Sequence, residues 1–114
     1  MVISFSNDIA WRQLVDHGEV VTFRKSRRKN PNGKTWCNRG RGQTKEFDVV
    51  IEEIGQAKPI HSHLEDYVSL SGFDDCYDWI RAIESLNGSK PEFGWLYRVK
   101  PVPGTELPSL ANPV

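Results

Sequence analysis

No apolar run in this chain approaches the roughly 18 residues that a membrane-spanning helix needs, which sets membrane insertion aside. The opening Met1-Val2-Ile3-Ser4-Phe5 has neither a basic region nor a long apolar stretch, so no secretory signal is read there. Cysteine is scarce. Cys37 and Cys76 are too few for a disulfide framework and read as reduced thiols of a cytoplasmic protein, although a single bridge between them stays open. With 114 residues, 38% hydrophobic and 26% charged, the chain is long enough for one buried core and too short for two domains.

The absence that matters most is local. From Phe23 to Lys45 there is no carboxylate, while Arg24, Lys25, Arg27, Arg28, Lys29, Lys34, Arg39, Arg41 and Lys45 all fall there. Nine of the fifteen basic residues therefore sit in one segment, and the remaining six face all fifteen acids: +9 against −9 behind a net charge of zero. Nine like charges in one stretch repel one another, and an offset is needed. An external polyanion supplies one; the acidic remainder of the fold is the other, in which case the segment is a solvated charged loop.

The periodicities give an α+β order of elements. Val2–Phe5 reads as a short strand, and Ser6 caps a helix over about residues 7–16 with Trp11, Leu14 and Val15 as its apolar stripe, stopped by Gly18. Glu19–Arg24 alternates as a strand with Val21 and Phe23 on one face and Val20, Thr22 and Arg24 on the other. Asn30-Pro31-Asn32-Gly33 fits a type I turn, Lys34–Asn38 a short strand, and Glu46–Ile54 a strand with Phe47, Val49 and Ile51 inward. Gly55–Leu70 reads as a connection with one helical turn near Leu64–Tyr67. Asp74 caps a second helix over about 75–86, whose stripe is Cys76, Trp79, Ile80, Ile83 and Leu86, closed by Asn87-Gly88. Phe93–Val99 is the last strand, and residues 101–114, with four prolines, form a tail outside the 1–100 domain. The order predicts a small, mostly antiparallel sheet or barrel with two principal flanking helices.

Four pieces in this order resemble the ASCH domain of the PUA-like superfamily. They are the opening strand and helix, the strand Gly18-Glu19-Val20-Val21-Thr22-Phe23-Arg24, the sequence Ser71-Gly72-Phe73-Asp74 before a helix, and the closing Trp95-Leu96-Tyr97-Arg98-Val99. The resemblance implies a PUA-like β-barrel with a cleft and a role with RNA or modified nucleosides. Some members are amidohydrolases acting on an acylated cytidine through a Lys and a Thr of a G-x-K-T-x-T-x-R pattern and a Glu before the second helix. Thr22 and Arg24 match the T-x-R end; Glu19 or Val20 stands where the Lys belongs, and Ser71 where the Glu does. Lys25 does not simply replace that Lys, because consecutive strand residues face opposite ways.

The residues thus predict a nucleic-acid-binding domain, RNA before DNA, working through a basic surface over residues 24–45. Arg24, Lys25, Arg27, Arg28, Lys29, Lys34, Arg39, Arg41 and Lys45 are its expected phosphate contacts, with Thr22, Arg24 and Trp36 at the cleft end. Trp36 stacks a base in this reading or, alternatively, packs in the core. Asn38-Arg39-Gly40-Arg41-Gly42 lacks the residues of a P-loop. His61-x-His63 lacks a second pair of ligands at a metal-site spacing, so no metal and no cofactor is expected. Trp79, Trp95 and Tyr97 read as core aromatics. The competing expectation is an enzyme, either a ribonuclease or a divergent amidohydrolase of the ASCH type, with Thr22 as its catalytic residue; a third is a module that meets an acidic protein.

Overall fold

The computed structural model describes residues 2–108. The elements in chain order are β1 (Ile3–Ser4), α1 (Asp8–His17), β2 (Val20–Arg24), β3 (Gly33–Asn38), β4 (Lys45–Ala57), α2 (His61–Leu64), α3 (Cys76–Asn87) and β5 (Gly94–Pro101), with a 3-10 turn at Val68–Leu70. All five strands join one sheet in the order β1-β3-β4-β5-β2, in which β1 and β3 are parallel and every other pair is antiparallel. The sheet curls into half a barrel, giving a small, compact α+β domain. Its edges are β1 and β2, so the barrel stays open along a seam between those two strands.

Side-chain alternation on the strands builds a core on each side of the sheet. Val20, Phe47, Val49, Ile51, Tyr97 and Val99 turn inward with Ile3, Phe5 and Cys37, and α1 covers them with Trp11, Leu14 and Val15. Val21, Phe23, Leu96 and Ala57 turn the other way and meet Cys76, Trp79 and Ile83 of α3. The strand β2 is therefore buried on both faces, and this is how its alternation reads in the sequence. Cys37 and Cys76 are buried free thiols in these two separate cores, so no bridge joins them. Burial pushes the Cys37 thiol up to about 11, which keeps it protonated at neutral pH.

Several boundaries differ from expectation. Asn7, not Ser6, caps α1, its side-chain oxygen accepting from Ile9 N and Ala10 N at 2.9 and 3.1 Å. Asp75, not Asp74, caps α3 by accepting from Asp78 N at 2.9 Å. In each pair both residues can cap, and only the entry of the chain decides which oxygen meets the free N–H groups. The strand β4 runs on to Ala57 through an irregularity between Glu53 and Gly55, where Ile54 is left without a partner across β5. That extra residue reverses the facing of the strand beyond it and delivers Ala57 to the α3 core. The helical turns of the connection flank Glu65–Tyr67 instead of including it. Leu86 ends the α3 stripe exposed, at 61%.

Two glycines set how closely elements approach at the seam. Gly72, at φ +90°, lies against α1, where a Cβ would stand 2.7 Å from the Ile9 carbonyl oxygen. Gly94 begins β5 beside β2, where a Cβ would stand 2.5 Å from the Arg24 carbonyl oxygen and closer still to the Phe23 ring. After Pro101 the chain to Pro108 has no regular structure but stays attached: Val102 N–H donates to the Asp48 carbonyl and Leu107 packs against the inner core. The expected tail residues 109–114 lie outside the described residues. Among those described, no helix is long and apolar enough to cross a membrane.

Candidate functional site

The open seam holds a cavity of about 250 Å³. Ser4 and Phe5 of the β1 edge form one wall, and residues 21–25 along β2 form the opposite one. Ala10 of α1, Ser71 and Phe73 before α3, and Trp79, Ile83 and Leu86 of α3 complete an apolar floor and rim. The N-terminus of α1, at Asn7, and the last turn of α3, at Asn87, both border the space, and their helix dipoles are of opposite sign there. The sign of the site is set by side chains.

Arg24 sets it. Its Nε donates to Thr22 Oγ1 at 3.2 Å, and its guanidinium lies over the Phe5 ring at 5.1 Å from the centroid. No carboxylate pairs with it among the described residues, and neither do its terminal nitrogens find an acceptor there. Burial, then the neighbouring charge of Arg28, push its pKa down to about 10, against a smaller opposite pull from Tyr97. It remains charged at neutral pH. Thr22 is buried, accepts from Arg24, and keeps its own hydroxyl proton without an acceptor among the described residues. Two donors therefore converge on one small space whose other walls mix aromatic and aliphatic side chains with serines and asparagines, which suits an anion or a strongly polar acceptor. No carboxylate or histidine lines the cavity.

Comparison with known proteins adds no relative. No family model, no curated protein and no solved structure matches this chain. What the site does is therefore argued from its own side chains.

The nine cations expected to form one surface divide into groups. Arg27 makes a two-pronged pair with Glu53, at 2.9 and 3.0 Å, and Lys45 pairs with Asp48 at 2.8 Å. Arg39 pairs with Asp8, donates to the Phe5 carbonyl at 2.9 Å and lies over the Trp11 ring. The Arg27 and Arg39 pairs hold the loops on either side of β3 onto the domain, while Lys45 and Asp48 pair within β4; carboxylates of the acidic remainder are the offset for all three. Arg28 joins the seam instead: its Nη1 donates to the Val2 carbonyl at 3.2 Å, and its backbone N–H donates to the Tyr97 hydroxyl at 2.8 Å. Lys25 follows the end of β2 in a bend, so strand alternation no longer governs it, and it reaches the cavity mouth. Lys29, Lys34 and Arg41 are exposed.

Trp36 is not brought to the cavity. It lies next to inward-facing Cys37 and so faces the outer side of β3, half-buried and in neither core cluster, so it neither lines the cleft nor packs in the core. Trp95 takes the place expected of Trp36: it stands directly across from Arg24 in the β2–β5 register and is only half-buried. Nothing in the sequence marks Trp95 over Trp36 without that register. His61 and His63 are engaged at α2, His61 Nδ1 lying 3.3 Å from Glu65 and His63 Nδ1 accepting from Lys58 N. Among the described residues no three metal-ligating side chains come together.

Proposed function

We propose that the protein binds single-stranded nucleic acid, RNA before DNA, with the seam cavity receiving one nucleotide and the cations around its mouth meeting the backbone. Arg24 carries the reading: a half-buried guanidinium, hydrogen-bonded to Thr22, facing an open cavity with no carboxylate of its own among the described residues. Such a group is complementary to a phosphate, which regains for it the charge partner that the fold withholds. Lys25 at the mouth and Arg28 at the seam extend the same sign outward. A cavity just below the roughly 300–1,000 Å³ of drug-sized ligand pockets has room for one nucleotide at most and excludes a duplex. The preference for RNA rests on the resemblance to the ASCH domain and on the 2′-hydroxyl, which can accept from Thr22.

The test is a titration of short single-stranded RNA, single-stranded DNA and duplex DNA into the wild type and Arg24→Met, with each mixture also run on a gel. Binding of single strands, RNA most tightly, that is lost in Arg24→Met without cleavage agrees with the proposal. No binding of any strand at low salt overturns it.

A hydrolytic reading has one observation in its favour: Thr22, which matches the nucleophile of the family pattern, shares the cavity with Lys25. The proton transfers such a step needs have no histidine or carboxylate beside it. Release of free cytidine from an N-acylated cytidine, abolished by Thr22→Ala, would establish it over binding alone.

A further inference from the structure

Beside the cavity mouth runs a second groove, lined by Lys25, Arg27, Pro91, Glu92, Phe93 and Trp95. Lys25 belongs to both spaces, and Trp95 stands across from Arg24, so groove and cavity adjoin at the end of β2. Phe93 is 44% exposed and belongs to neither core, while Trp95 only borders the inner one. The two rings meet edge to face, with centroids 5.6 Å apart and planes at 78°. An edge-to-face pair cannot cover both faces of both rings, and aromatic surface left open next to a cation is the construction that holds single strands. The charges of the groove are unequal in availability. Arg27 is engaged by Glu53, and Glu92 repels phosphate from its own lip; Lys25 has no carboxylate partner among the described residues.

We propose that this groove is a second subsite for the same strand: the nucleobase next to the one in the cavity stacks on the Phe93–Trp95 pair, and the phosphate between them lies on Lys25. This rests on the nucleic-acid reading above and extends it from one nucleotide to two. It also makes binding tolerant of base identity at the second position, because every base offers a π face.

The experiment compares uridine monophosphate with a single-stranded uridylate trimer on the wild type, Phe93→Ala, Phe93→Tyr and Trp95→Phe. Phe93→Ala is expected to lose roughly tenfold or more in affinity for the trimer and less than about twofold for the monophosphate. Phe93→Tyr restores trimer binding, since it keeps the ring. The trimer quenches tryptophan fluorescence in the wild type, and Trp95→Phe removes most of that quenching while retaining affinity. Trimer affinity unchanged in Phe93→Ala, or quenching unchanged in Trp95→Phe, overturns the subsite and leaves the cavity reading standing. A wild type that binds neither probe overturns both. Should Phe93→Ala fail to fold, by its circular dichroism, the quenching in Trp95→Phe decides alone.

Discussion

A guanidinium partly withdrawn from water and given no carboxylate loses hydration that one hydrogen bond does not return in full. Arg24 is in that position, with one hydrogen bond to Thr22 and the face of Phe5 as its compensation. Its pKa of about 10 lies below the ordinary arginine value chiefly because of burial. The protonated group therefore weighs against the folded state throughout neutral pH, and that weight lifts only as pH rises above the folded value toward the unfolded one. Arg24→Met removes the charge and keeps most of the volume. It forfeits a cation–π contact of about 0.5–1 kcal/mol and a hydrogen bond of about 1 kcal/mol, and it gains the desolvation. The melting temperature is expected to stay within a few degrees of the wild type or to rise, roughly within 1 kcal/mol, while affinity for single-stranded RNA collapses. A variant that melts far below the wild type would make Arg24 a structural residue. Arg24→Lys keeps a charge but not the planar fork, and recovers only part of the binding.

At the scale of elements, the loop after β2 is tied down by a small network. Arg27 holds both oxygens of Glu53 on β4, the Tyr97 hydroxyl of β5 accepts from Arg28 N, and Tyr97 Oη lies 3.5 Å from Glu53. The hydrogen bonds from Arg27 are the largest influence holding the Glu53 carboxyl below its ordinary 4.5. A carboxylate so depressed contributes stability that is present above the unfolded value and lost as pH falls through the lower folded one. Wild type is therefore expected to melt above Glu53→Gln at neutral pH, with the gap closing as pH falls below the ordinary carboxyl value. A gap independent of pH would mean that the pair adds nothing electrostatic. On the neighbouring strand, Gly94→Ala places a methyl against the Arg24 carbonyl and the Phe23 ring. It is expected to destabilise by about 1–3 kcal/mol in a urea titration and to weaken RNA binding by shifting the wall that carries Arg24. How much of this is legible in the sequence depends on range. The inward set Phe47, Val49 and Ile51 and the helix stripe at Trp11, Leu14 and Val15 are local periodicities, and each stands as read. The irregularity at Ile54 breaks a periodicity and leaves no pattern to trace. Arg27 and Arg39 meet acids 26 and 31 residues away, and no local rule joins them. Thr22 and Arg24 share a face by alternation alone, whereas Phe5 beneath Arg24 and Trp95 across from it depend on the closure of the sheet.

For the whole molecule, the question is what becomes of a +9 segment in a chain of zero net charge. The fold answers part of it internally, because Glu53, Asp8 and Asp48 take Arg27, Arg39 and Lys45. The pairs of Arg27 and Arg39 fasten loops, so recruiting those two cations to a ligand would unfasten them. On the nucleic-acid reading, phosphate contact then falls first to Arg24 and Lys25, which line the cavity, and then to Arg28 and exposed Lys29 within the same six residues of chain, while exposed Lys34 and Arg41 belong to β3 and the loop after it. The salt dependence of binding separates the two arrangements. Neutralising about three or four phosphates of a single strand gives log K a slope of about −2 to −3 against log salt, whereas engaging all nine cations gives about −6. The shallower slope is expected. Lys25→Ala should reduce its magnitude by about 0.7, the share of one phosphate. Lys45→Ala should leave the slope unchanged, since Asp48 already holds that charge. A wild-type slope near −6 would mean instead that the internal pairs open on binding, and Glu53→Gln and Asp8→Asn would then bind RNA more tightly than the wild type by freeing Arg27 and Arg39 in advance.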